Sequence, residues 1–542
     1  MVLSGKSLVR WFVVFVAAGM LTGSAVAQFA SDNITLLGRL PLSSIGGGTG
    51  SDIWGWTDSQ TGREYALMGR SNGTSFVDVT DGTNPIYLGN LPSSTGESLW
   101  RDIKVFDDRA YIVSDANGPH GIQVFDLTNL RGVTSPQTFT APVSTRGNLR
   151  SAHNIAINED SGFGYVVDSN LAFGGLHIVN LGAGNVNNPP VAGGFSSDGT
   201  THDVQVVNYT GPDPDYAGRE IAFASNQDTI TIVDVTNKSN PTQVSRNGYP
   251  GTFFTHQGWL TEDQNYFLFG DELDEANTGN NTRTHVLDVR DLDNPTYVGF
   301  HEHEFDSIDH NLYINGDYVF QANYTRGLRV LELTDLANAE LTEVGFLYTF
   351  PQSNSVSFNG AWSVYPYFED GKVIVSDLSN GLFIAQVDFL VGQVDIDFND
   401  DDIVDCTDID ALTAAIAGVG NDEDFDLNGD GIVDAADQQQ WLVDAGAENL
   451  VSGGAYLNGD ANLDGSVDAS DFNIWNQSRF TSTAAWCSGD FNADGSVDGS
   501  DFNIWNQNKF TSSADVAHVP EPSSIALLLL AACALAAKRR EA

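Results

Sequence analysis

Positive charge is scarce in this chain: 24 Lys and Arg stand against 72 Asp and Glu over 542 residues, a formal charge of −48. That imbalance excludes nucleic acid as a partner, because affinity for it rests on Lys and Arg neutralising phosphates. Catalytic signatures are missing as well. There is no serine elbow, no HExxH and no phosphate loop. Long apolar runs are lacking: neither Trp11–Leu21 nor Ile525–Ala537 reaches the ~20 residues that a membrane-spanning helix needs. The first run follows Lys6 and Arg10 and leads to Ala25-Val-Ala27. That order predicts a secretory signal peptide over residues 1–27, cut after Ala27. Cysteine is rare, with only Cys406 and Cys487 in the exported body. Export permits a disulfide, so these two either pair or remain thiols.

What is abundant is repetition. A unit of about 50 residues recurs seven times between Ser51 and Leu390, the mark of a solenoid, propeller or array. Each copy opens on a strand led by a polar or small residue: Asp52, Asp102, His153, His202, His256, His310 and Ala361. A third strand and its turn recur as Phe76-Val-Asp-Val-Thr to Asn84-Pro85, Ile232-Val-Asp-Val-Thr to Asn240-Pro241, and Val286-Leu-Asp-Val-Arg to Asn294-Pro295. Asp and Asn tie such turns, and Pro cannot donate to a ladder, so the strand after it belongs at a sheet edge. The seventh copy stops after its third strand. Asn33-Ile-Thr-Leu-Leu-Gly-Arg-Leu-Pro41 matches the fourth-strand segment Asn84-Pro-Ile-Tyr-Leu-Gly-Asn-Leu-Pro92. Residues 33–41 are therefore expected to complete the last blade and close a seven-bladed β-propeller over 28–392.

The segments Ala152-His-Asn-Ile-Ala-Ile157, Thr201-His-Asp-Val-Gln-Val206, Thr255-His-Gln-Gly-Trp259, Gly270-Asp-Glu-Leu-Asp-Glu275 and Ile308-Asp-His-Asn-Leu312 resemble the choice-of-anchor B proteins, built of LVIVP-type propeller repeats. The resemblance implies a secreted propeller and assigns no reaction. At the other end, Val519-Pro-Glu-Pro522, the apolar run and Lys538-Arg-Arg540 resemble the PEP-CTERM sorting signal. That resemblance implies a tail over 516–542 that sits transiently in the membrane, is processed by an exosortase-type enzyme and sends the protein to a bacterial surface.

Four histidines at one register, His153, His202, His256 and His310, should form an arc at one mouth of the channel. Asp102 and Asp203 lie beside them, and the loop Asp271-Glu-Leu-Asp-Glu275 should bring four carboxylates, Asp271 and Glu272 among them, to the same mouth. Imidazoles bind transition metals and nearby carboxylates orient them. The competing reading is architectural, each His tying its strand to a neighbouring blade. A bound anion or small polar ligand is a third. His301 and His303 read as residues of an exposed outer strand.

Residues 393–515 hold 26 acidic and two basic side chains, and the acidic ones are regularly spaced. The pattern is Asp397, Asn399, Asp401, Asp405 and Asp408; it recurs as Asp426, Asn428, Asp430, Asp434 and Asp437, then Asp460, Asn462, Asp464, Asp468 and Asp471, then Asp490, Asn492, Asp494, Asp498 and Asp501. Oxygens at positions 1, 3, 5, 9 and 12 suit Ca²⁺. Gly431, Gly465 and Gly495 fill position 6, where Asp402 stands in the first loop. Val404, Val433, Val467 and Val497 are expected to pack the loops in pairs. Position 12 is Asp rather than Glu, and a helical segment follows each loop, so the region resembles dockerin type I repeats. That implies up to four Ca²⁺ ions and a cohesin-like partner; with four loops instead of two, a calcium-set spacer is the alternative.

The expected fold class is thus mainly β, a seven-bladed β-propeller followed by a small α-helical calcium-binding domain of EF-hand-type loops. The expected function is a secreted, surface-sorted binding protein whose partners are a cohesin-like protein or an extracellular polysaccharide. The alternative is a metal-dependent extracellular enzyme, an oxidoreductase or a hydrolase in polysaccharide catabolism, working at the histidine arc.

Overall fold

The computed structural model describes residues 29–182, 184–390, 396–399, 403–418, 425–427, 432–450 and 454–513. The expected leader, the sorting tail and the loop residues Asp401, Asn428 and Asp430 lie outside them. The chain divides into two compact units at Asp388.

The first unit is a seven-bladed β-propeller. Its innermost strands are Gly50–Asp58, Arg101–Phe106, Ala152–Asn158, Asp203–Asn208, Thr255–Leu260, Leu312–Asn315 and Ala361–Tyr365, one per blade. The remaining strands of each blade follow outward as antiparallel neighbours. Apolar clusters lie between consecutive blades. Tyr111, Val113, Ile155 and Val166 pack blade 2 on blade 3, for example, and Ile53, Met68, Ile374 and Ile384 pack blade 7 on blade 1. Both faces of each central strand are therefore buried, and these strands read as near-continuous apolar runs rather than alternations.

The ring closes as expected. Ile34–Leu40 pairs antiparallel with Gly381–Val387, Ile34 opposite Val387 and Leu40 opposite Leu382. The N-terminus also reaches blade 6, where Ser31–Asp32 adds a fifth strand beside Glu340–Leu347. A second departure from the repeat lies in blade 2, whose fourth strand is only Val143–Ser144. The chain before it is diverted, and Gln137–Thr138 adds a parallel strand outside Ile86–Pro92 of blade 1.

The strands after Pro241 and Pro295 are outermost, as proline requires. Six of the seven blades carry a bulge between third and fourth strands, as at Ile178/Val179 and Ile232/Val233. Glycine at that position has a packing reason. A Cβ on Gly193 would lie 1.6 Å from the carbonyl of Lys238, and one on Gly38 2.4 Å from that of Gly82. At Gly193 and Gly38 the bulge thus admits the turn of the next blade against bare backbone.

Among the described residues the first unit has one short α-helix, α1 (Asp274–Thr278). The second unit has four: α2 (Cys406–Ala417), α3 (Ala435–Asn449), α4 (Ala469–Ser478) and α5 (Gly499–Asn508). Each of α2 to α5 begins on an Asp N-cap with a reciprocal Asp at N3, the pairs 405/408, 434/437, 468/471 and 498/501. This is a capping box built with Asp in place of Glu or Gln. Four tryptophans, 441, 475, 486 and 505, share one core with Val433, Val467 and Val497. Cys406 and Cys487 form a disulfide.

Candidate functional site

The inner strands begin at one mouth of the propeller channel and end at the other. At the first mouth, His153, His202, His256 and His310 stand in an arc, neighbouring ring centroids 4.3, 4.4 and 4.2 Å apart. Trp362 continues it 4.5 Å beyond His310. In blades 1 and 5 the register residues Asp52 and His256 fall at a bulge, and in blade 7 the bulge falls at Trp362, one residue after Ala361. His202 Nδ1 donates to the His256 carbonyl (3.1 Å) and His310 Nδ1 donates to that of Trp362 (2.6 Å). A carbonyl only accepts, so both rings are Nδ1–H tautomers whose Nε2 lone pairs are free.

Burial depresses His202 and His256 well below the ordinary imidazole range, their imidazole neighbours adding to it, and burial takes His310 down to about 3. His153 differs. Burial alone would lower it, but Asp115, Asp168 and Asp203 outweigh that and raise it. Glu272 faces the arc, 3.9 Å from His256 Nε2 and 3.7 Å from His310 Nε2. It accepts from the Tyr324 hydroxyl at 2.8 Å, and burial pushes it up to about 7. His256, Glu272 and His310 could together hold a metal ion. Above them lies a cavity of about 330 Å³ lined by Leu99, Trp100, Leu273, Phe358 and Leu378.

Beneath the arc a ring of polar side chains clips each inner strand to the next. Asp102 accepts the Ile155 N–H at 2.7 Å, Gln205 that of Leu260 at 2.7 Å, and Gln257 that of Leu312 at 2.8 Å. Asp203 accepts from the Asn154 amide, and burial raises it to about 7. Lys104 supplies the counter-charge, 2.7 Å from Asp102 and 3.4 Å from Asp52. Burial alone would lower this amine, yet Asp102 and Asp52 hold it well above its usual range.

The opposite mouth holds a cavity of about 470 Å³. Trp54, Trp259, Tyr313, Tyr365 and Tyr367 line it together with Asn158, Asn208, Gln205, Gln264, Glu159 and Asp160. The rings brace one another edge-on: Trp54 on Tyr313 and Tyr365, Trp259 on Tyr313, and Tyr365 on Tyr367. Lys104 Nζ lies 4.5 Å from the Trp54 ring centroid.

In the second unit the third and fourth acidic loops have the same internal geometry. Asp460 accepts from the N–H groups of Asp464 and Gly465, and Asp490 from those of Asp494 and Gly495. Asp471 and Asp501 accept from the backbone on both sides of the loop. Burial, then neighbouring loop carboxylates, raise Asp460 to about 7 and Asp490 to about 6. In the first loop Asp408 is fully buried, and its Oδ1 has no hydrogen-bond partner among the described residues.

No protein-family profile matches the chain, and no curated protein does. Similar solved structures include the β-propeller domain of Cps50 (Swd1) from Myceliophteria thermophila, 11% identical over 65% of this chain and 98% of that one, TM-score 0.42. Kuenenia stuttgartiensis hydrazine synthase is 10% identical over 59% and 91%, TM-score 0.41. The periplasmic gluconolactonase PpgL of Pseudomonas aeruginosa is 9% identical over 60% and 98%, TM-score 0.40. Likeness at this level carries no argument about chemistry.

The predicted residues fall into three sets. The four histidines and Glu272 meet at one mouth; Asp102 and Asp203 lie in the ring below. Asp271 does not reach the arc, because it is committed to the N–H groups of Phe253 and Phe254 and to the Tyr249 hydroxyl. Asp274 and Glu275 face Asp309 instead, so one carboxylate of the expected four serves the arc. His303 lies just beyond the outer strand Thr296–Glu302 and is buried, and burial pushes it down to about 3, so it is not an exposed strand residue. Sequence reading missed Lys104 and the aromatic mouth. The available signal was the aromatic three positions beyond the register residue, Trp259 after His256 and Tyr313 after His310.

Proposed function

We propose that this is a secreted, surface-sorted, non-enzymatic propeller that binds a neutral extracellular polysaccharide at the aromatic mouth of its channel. The observation that carries the reading is the 470 Å³ cavity with five braced aromatic rings and a fringe of amides. It lies in the size range of ligand pockets. Ring faces stack on the C–H faces of sugars, amides meet the hydroxyls, and Glu159 and Asp160 at the rim disfavour an anionic polymer. The opposite mouth supports the same reading, since His202 and His310 spend their Nδ1 protons on the next blade's backbone.

The second unit is read as a calcium-dependent dockerin-like module. Its donors are all oxygen, which suits a hard cation, and Oδ1 of Asp408, bare among the described residues, is an acceptor that an ion would satisfy. The leader and the sorting tail, with its exosortase-type processing, complete the proposal. A cohesin-like protein is the partner this module would take.

Calorimetric titration with neutral β-glucan and acidic uronan oligosaccharides tests the saccharide site. Trp259→Ala should weaken binding of a neutral oligosaccharide roughly tenfold. No heat with any of them, or binding indifferent to Trp259, would overturn the reading. One observation favours a second reading, a metal-dependent enzyme: the Nε2 atoms of His256 and His310 converge on Glu272. Stoichiometric Zn, Cu, Fe or Mn in the purified protein, lost on His256→Ala, would establish it.

A further inference from the structure

A second acidic cluster lies in the first unit, outside the linings of both mouths. Helix α1 supplies Asp274 and Glu275, and Asp309 enters from the start of blade 6. Carboxylate oxygens of all three lie within 4.8 Å of one another. Their exposures are 3%, 2% and 6%. Among the described residues no donor group reaches either oxygen of Glu275 or Oδ1 of Asp309, and the Glu275 carboxyl lies against that of Asp274. The nearby cation is Arg283, 3.8 Å from Asp274 and shared with Glu302 at 3.0 Å, so it answers one charge at most. Backbone is shaped around the cluster: a Cβ on Gly270 would lie 1.9 Å from Asp309 Oδ2. Burial, then the neighbouring carboxylates, push both Glu275 and Asp309 far up. Three buried carboxylates with three oxygens that no donor reaches cost several kcal/mol unless a cation or protons compensate them.

We propose that Asp274, Glu275 and Asp309 hold a Ca²⁺ ion inside the propeller. The donors are carboxylates without histidine or cysteine, which selects a hard cation over a transition metal. The ion ties the loop of blade 5 to the entry of blade 6. Glu272 stands on that same loop, so the ion also holds Glu272 against His256 and His310. This site stands independently of the saccharide reading.

Hydrogen exchange of the full chain, followed on peptides spanning 266–283 and 305–312, separates this ion from those of the acidic loops. In calcium at one hundred times its dissociation constant, opening of these peptides should be about 100-fold rarer than in EDTA. In Glu275→Gln that protection should vanish, and the chain should bind one equivalent fewer of calcium. Equal exchange of these wild-type peptides in calcium and EDTA overturns the proposal, and so does protection that tracks pH alone, as shared protons would produce. Should Glu275→Gln fail to fold, the wild-type comparison still decides, with Asp309→Asn supplying the stoichiometry.

Discussion

Lys104 is a single residue on which the middle of the channel depends. It lies two positions after Asp102, hence on the same strand face, and meets Asp102 and Asp52 in a site where it is 8% exposed. Removing one partner of such a buried set leaves charge uncompensated, which costs about 3–5 kcal/mol. Lys104→Met should therefore destabilise the propeller by that amount, read as a lower urea midpoint at unchanged slope, although the side chains are alike in bulk. An unchanged midpoint would mean that the site carries no charge for Lys104 to balance. The sequence displayed this residue plainly, but its role depends on Asp52 of the preceding blade, about 50 positions away, and no local pattern links them.

At the scale of elements, the acidic loops double as helix caps. Position 9 of each repeat is an N-cap and position 12 is its N3 partner, so one Asp spacing serves both the loop and the helix start. The repeats pair crosswise, in a way the expected packing of valines did not contain. Val467 pairs with Thr511 beyond α5, Val497 bridges Thr481 beyond α4, and each helix's Trp bonds the other's N-cap carbonyl. The disulfide closes 81 residues of sequence across α2 and the turn at Trp486–Ser488. Its loss in a Cys406→Ser, Cys487→Ser double variant should cost about 2–5 kcal/mol, read by denaturant titration of tryptophan fluorescence.

The loops also set a pH dependence. Asp460 and Asp490 have folded-state values of about 7 and 6 against an ordinary 3.8. A raised value means that the stability these protons supply is complete below the unfolded value and is lost as pH rises through 6 to 7. Without metal the second unit should accordingly melt lower at pH 8 than at pH 5. Calcium should remove or reverse that difference, because it binds the deprotonated form. Melting curves in EDTA and in calcium at both pH values check the sign, and a metal-free unit indifferent to pH would contradict it.

For the molecule as a whole, closure is the decisive event. Without Ile34–Leu40, the strand Gly381–Val387 would offer an open, apolar edge, the feature that invites pairing with other chains. A chain lacking residues 29–41 should aggregate in size-exclusion chromatography, and a peptide of residues 29–41 added in trans should rescue the monomer by strand addition. EDTA, by contrast, should leave the propeller folded while residues 396–513 lose protection from proteases. Equal protease resistance of that segment with and without EDTA would count against calcium as its organiser.

Period, strand order and the matching fourth strand at the N-terminus were legible in the amino-acid sequence, because each blade is specified by local turn chemistry and apolar runs. The histidine register was legible for the same reason: equivalent positions in a closed ring must lie at one height. What tertiary structure alone decided is how those positions are used. Backbone carbonyls of the next blade fix the tautomers of His202 and His310, Asp271 turns away to hold its own loop, and Glu272 turns toward the arc. The diversion of Gln137–Thr138 to blade 1 and the meeting of Asp274, Glu275 and Asp309 likewise join segments distant in sequence. Their geometry follows from which blades pack together, and only the closed ring brings those blades into contact.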